Sequence, residues 1–177
     1  MTEIHSPNPQ SSQNPEPWLR GTRQEIPAVP RAVLHALDLA DEDLHRWCAT
    51  LTDKELNTSP LALPPVSFHL QHIARSVDRL LTYAEGYPLN PQQLANLKTE
   101  TQSATSALLF AELTAALTQS ANRILALASA DLEQPRTVGK KSLPTTVAGL
   151  LVHIADHTQR HVGQAITTAK LISSLKR

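Results

Sequence analysis

The chain is poor in the residues that mark many familiar chemistries. It has one cysteine, Cys48, so an internal disulfide is excluded and no CxxC pair exists for a zinc ribbon or a redox couple. Cys48 also sits in an apolar-periodic stretch, where a buried, inert thiol is the expectation. Five glycines are scattered along the chain, and no glycine-rich phosphate loop can be assembled from them. Charge of one sign is lacking as well. Lys plus Arg and Asp plus Glu both number 16, so no broad basic surface points to nucleic acid or to an anionic membrane. No apolar run approaches the roughly 18 to 20 residues that cross a bilayer. The N-terminus has neither the basic region nor the apolar core of a signal peptide, and a cytoplasmic, reducing location is the expectation.

Aromatic residues make up only 3% of the chain, and alternating β-branched runs are missing. No strand is expected. What remains is helical periodicity. A first helix is read from Arg31, where Val33, Leu34, Leu37, Leu44, Trp47 and Leu51 recur at helical spacing until TDKELNTSP interrupts. After Pro64 and Pro65 a second runs through Val66, Leu70, Ile73, Val77, Leu80 and Ala84 to a stop at Gly86. A short helix starting at Pro91 lies in the connection that follows. The third helix spans about Thr105 to Ala128, with Leu108, Leu109, Leu113, Ala116, Leu117, Ile124 and Leu127 as core candidates. A break containing Pro135 and Gly139 precedes a fourth helix from about Pro144 to Ser173.

Four long helices in 177 residues must bury their stripes against one another, so the expected fold is all-α, a four-helix bundle over residues 31–177. Residues 1–30 hold six of the thirteen prolines and few aliphatics. That composition predicts an extended, poorly ordered arm, docked at most through Trp18 and Leu19, and makes its His5 a poor ligand.

Against this frame the histidines stand out. His153, His157 and His161 fall at intervals of four in LLVHIADHTQRHVGQAI. Side chains four apart on a helix share a face and can close on one divalent ion. The apolar direction of this helix is set by Val147, Leu151, Ile154, Ala165, Ala169 and Ile172. His161 lies about 55° from it, His157 about 95° and His153 about 135°. His153 and His161 are about 12 Å apart along the axis, too far to share an ion directly. The favoured pair is therefore His157 with His161, against the alternative that these are boundary histidines making ordinary hydrogen bonds. The second helix offers His69, about 60° from its apolar centre, and His72, about 120° away, as third ligands. Periodicity prefers His69, although a flank position can still face a cavity between neighbouring helices.

Other motif-defined chemistries fit poorly. An HExxH metalloprotease needs a glutamate after its first histidine, whereas His153 is followed by Ile154 and His157 by Thr158. Ser67 and Ser76 have no nucleophile elbow around them.

The LxHIA element at Leu70 to Ala74, followed two long helices later by HxxxHxxQ at His157, His161 and Gln164, resembles the DinB/YfiT superfamily of small four-helix bundles. The resemblance covers about Arg31 to Ser173. It implies a three-histidine site for a divalent metal such as nickel or zinc, with His72, His157 and His161 as ligands, overriding the preference of periodicity for His69. It further implies a small-molecule substrate. Members include transferases using low-molecular-weight thiols, and a three-ligand metal with open positions can present a thiol or water as an anionic nucleophile. Gln164, Asp78, Arg79 and Arg160 are then candidate orienting or substrate-binding groups. The competing expectation is a non-catalytic metal-binding or stress-associated bundle. A homodimer fits the habit of small bundles to bury a residual apolar face against a copy.

Overall fold

A computed structural model describes residues 14–176. Six α-helices are found there: α1 (Ala28–Cys48), α2 (Asp53–Leu56), α3 (Val66–Ala84), α4 (Pro91–Asn96), α5 (Ser106–Ala126) and α6 (Val147–Ser174). The four long ones form the bundle. Round its circumference α1 packs on α6, α6 on α3, α3 on α5, and α5 more lightly on α1. Leu34, Leu44, Leu70, Ile73, Leu113, Ile124, Leu151 and Ile154 are completely buried where the four meet.

Local chemistry sets the helix ends. Thr105 and Thr146 accept hydrogen bonds from the backbone N–H of Leu108 and Gly149 and so cap α5 and α6. The short helices α2 and α4 are each opened by a reciprocal capping box, Thr52 with Glu55 and Asn90 with Gln93. α3 stops in a Schellman motif: the N–H of Gly86 bonds Tyr83 O and that of Tyr87 bonds Thr82 O. Gly86 there has φ +89°, a conformation that disfavours any side chain.

Several expectations need correction. A two-stranded antiparallel hairpin, β1 (Pro135–Val138) with β2 (Leu143–Thr146), lies where no strand was expected. Each strand has four residues and a proline, too short for visible alternation, and the ribbon tolerates proline because each strand has a free edge. β2 occupies the start assigned to the last helix, so α6 begins at Val147 rather than Pro144. α1 begins at Ala28 rather than Arg31, with Pro30 accommodated in its first turn, where a missing backbone donor costs nothing. Leu108, read as core, is 65% exposed on the outer side of α5.

Residues 1–13, including His5, lie outside the described residues. From residue 14 onward the arm follows α1. Its contacts differ from those expected: Trp18 and Leu19 are exposed, whereas Pro17 and Ile26 are buried. Arg20 pairs with Glu42 at 2.6 Å and Arg23 with Asp38 at 3.0 Å. Among the described residues no helix is long and apolar enough to cross a membrane.

Candidate metal centre

The seam between α3 and α6 gathers four histidines. Val66, Leu70, Ile73 and Val77 drive α3 into the core, which leaves His69 and His72 on its flank toward α6. On α6 the buried stripe through Leu151, Ile154, Val162 and Ala165 leaves His157 and His161 on the flank toward α3. One ring nitrogen from each of His72, His157 and His161 falls within 4.8 Å of the other two. Ring centroids are 4.4 Å apart for His72 and His161, 4.6 Å for His157 and His161, and 5.0 Å for His72 and His157. All three side chains are half-buried.

The contacts within this cluster fit a shared cation. His72 Nε2 and His157 Nε2 face each other at 3.3 Å. That is about the edge of a tetrahedron whose centre lies roughly 2.0 to 2.1 Å from each nitrogen. A proton can bridge two such nitrogens, whereas an ion can bridge all three. His157 Nδ1 is buried with no partner. Burial first, then the neighbouring histidines, pushes His157 down to about 4; burial with His72 and Arg160 does the same to His161. Both rings are therefore neutral near pH 7, with lone pairs available to a metal and little competition from protons.

His69 is almost completely buried, and its Nδ1 lies 3.0 Å from His161 Nδ1. It touches the cluster through His161 and is not among the three gathered residues. Burial, followed by His161 and His72, pushes it down to about 4. Periodicity was thus right that His69 points inward, while His72, further round the helix, reaches the cluster. Phe68 stacks on His72 with centroids 5.3 Å apart and supports its ring. His153 is exposed, with Asp156 3.8 Å away.

A residue that sequence reasoning missed completes the surroundings. His72 Nδ1 is 2.7 Å from Glu100 Oε2, and Arg79 Nη1 donates to Glu100 Oε1 at 2.6 Å. Glu100 is itself buried. Burial alone would raise its carboxyl, but the bonds from His72 and Arg79 outweigh that and hold it below the usual carboxylate range. It sits in the connection between α4 and α5, where no periodicity applies, so no pattern in the sequence could have found it. Among the groups named as candidates, Arg79 thus acts on Glu100. Asp78 instead pairs with Arg123, Arg160 pairs with Asp156 at the surface, and Gln164 is exposed. Ser67 and Ser76 are buried. A cavity of about 610 Å³ lies between the end of α3 and the hairpin, lined by Tyr83, Tyr87, Arg136 and Lys140 and by none of the histidines.

Fold and site together define a helical bundle with a three-histidine group able to hold a metal ion. The family profile described as the DinB superfamily matches residues 36–165, a span that contains all three histidines, and the chain belongs to that superfamily. No curated protein matches the chain.

Proposed function

We propose that this protein is a divalent-metal-dependent enzyme that activates a low-molecular-weight thiol, or water, at His72, His157 and His161. The observation that carries the reading is the convergence of three imidazole nitrogens within 4.8 Å, two of them on rings held neutral by burial. Three imidazole nitrogens suit nickel or zinc, and a bound ion would keep its charge, leave a position open and favour the deprotonated form of an incoming thiol or water.

The chain's own residues supply the remainder. His72 Nδ1 lies against Glu100 Oε2, and its Nε2 is the nitrogen turned toward His157. His69 and Phe68 restrict the rings of His161 and His72. His153, Asp156 and Arg160 stand exposed on α6 beside the cluster, where an incoming small molecule would meet them. A second reading, metal binding without catalysis, draws on the position of the 610 Å³ cavity, which is not at the histidines.

The test is thiol conjugation. Purified protein is assayed with bacillithiol, mycothiol, glutathione or cysteine against monochlorobimane, with and without added nickel or zinc, beside His161→Ala. A rate with one thiol that needs both metal and His161 is expected. No rate with any thiol, and a cobalt spectrum indifferent to thiols, would leave hydrolysis or binding alone.

A further inference from the structure

We propose that Glu100 is a positioning residue for the metal centre, fixing His72 with Nδ1 protonated and Nε2 presented to the ion. The proposal rests on the reading of His72, His157 and His161 as ligands. Metal-bound histidines commonly give their second N–H to a carboxylate, which locks tautomer and ring orientation and makes the imidazole a stronger donor. Glu100 occupies that place at 2.7 Å from His72 Nδ1, on the opposite side of the ring from the Nε2 that faces His157. The three ligands are unequal in this respect. His161 meets the imidazole of His69, and His157 Nδ1 meets no partner, so His72 alone is backed by a negative charge.

The placement of Glu100 is built rather than incidental. Its connection is tied to α3 by Arg79, by Gln71 Nε2 donating to Gln102 O at 2.9 Å, and by Arg75 Nη1 donating to Thr99 Oγ1 at 3.0 Å. Asn57 clamps the far end of the same segment through both the N–H and the carbonyl of Ala104. Residues distributed along one face of α3 therefore hold a carboxylate against a histidine of the same helix. With a divalent ion bound to neutral imidazoles, Glu100 is the buried anion that offsets its charge; its own neighbour Arg79 claims only the other oxygen.

Glu100 has a simpler possible role, which is to neutralise Arg79 and pin the connection. Three variants separate the two. Glu100→Gln keeps an oxygen able to accept from His72 but loses the charge, Glu100→Ala loses both, and Arg79→Met leaves Glu100 on His72. The full chain is titrated with zinc against a chromophoric chelator, and the cobalt-substituted forms are compared by absorption. Independently of metal, long-range ¹H–¹⁵N spectra of the metal-free protein report the tautomer of His72. Expected are a Nδ1–H tautomer for His72 in the wild type that is lost in Glu100→Ala, and a zinc affinity reduced about 10- to 100-fold in Glu100→Ala. Glu100→Gln should fall between, with an altered cobalt band, while Arg79→Met, in which Gln71, Arg75 and Asn57 still tie the connection, lowers thermal stability and lowers affinity by much less than Glu100→Ala. Equal affinity in wild type and both Glu100 variants would overturn the proposal, as would loss in Arg79→Met as large as in Glu100→Ala. A wild type that binds no zinc refutes the metal reading instead, and a His72 tautomer unchanged in Glu100→Ala refutes the role of Glu100 even then.

Discussion

Acidification should begin to destabilise the metal-free protein well above the pH at which carboxylates titrate. His69 is the clearest source, because it is nearly sealed from solvent and its folded pKa is about 4 against an ordinary value of 6.5. A folded pKa below the unfolded one means that the unfolded chain binds more protons between the two values. The stability contributed by the neutral, buried ring is therefore complete above about pH 6.5 and is lost as pH falls toward 4. A depression of this size corresponds to roughly 3 kcal/mol for His69 alone, a substantial share of the 5 to 15 kcal/mol typical of a domain. His157 and His161 are displaced in the same direction, but the three repel one another once charged, so the total is less than three times that figure. Urea denaturation followed by circular dichroism, with a chelator present, measures the effect at a series of pH values. The slope should approach about 1.4 kcal/mol per pH unit for each proton taken up. In His69→Leu the slope should be shallower by up to one proton, although stability at neutral pH will also change. Glu55, held near 2 by Lys176 and the Thr52 N–H, contributes only in stronger acid, as does Glu100 below its ordinary range. A stability that stays flat from about pH 7 down to about pH 4.5 would refute the reasoning.

Two further outcomes follow from groups away from the site. Arg123 joins α5 to α3 by pairing with Asp78 at 2.7 Å and Glu85 at 2.6 Å and donating to Thr82, so Arg123→Met should cost about 2 to 3 kcal/mol in urea denaturation. Loss of less than about 0.5 kcal/mol would mean that solvent screens the network fully. Cys48 is completely buried, and burial pushes its thiol up to about 12, so it should resist a thiol reagent in native protein and react on unfolding. Rapid labelling of the native protein would contradict that packing.

Much of the fold could be read from apolar spacing because most of the bundle's helices have one clear buried face. Every residue used to define the apolar direction of the last helix, from Val147 to Ile172, is buried. α5 was harder, because leucine and alanine surround it, and Leu108 could not be told from Leu109 by hydrophobicity. The hairpin escaped notice because strands of four residues containing Pro135 and Pro144 carry no periodic signal. The histidines on α6 were visible from their spacing alone. The choice between His69 and His72 was not, because residues three apart differ by only about 60° and both border the α3–α6 seam. Glu100 depended on a tertiary contact across 28 positions, which no local pattern records.

The central claim is that His72, His157 and His161 hold one divalent ion. Metal content after equilibrium dialysis against nickel or zinc tests it most directly, in the wild type and in each single alanine variant. The account predicts one ion per chain in the wild type, loss of most of it in His72→Ala, His157→Ala and His161→Ala, and full retention in His35→Ala and His45→Ala. Retention in His72→Ala together with loss in His69→Ala would contradict the ligand set, and a wild type that binds no ion would contradict the claim itself.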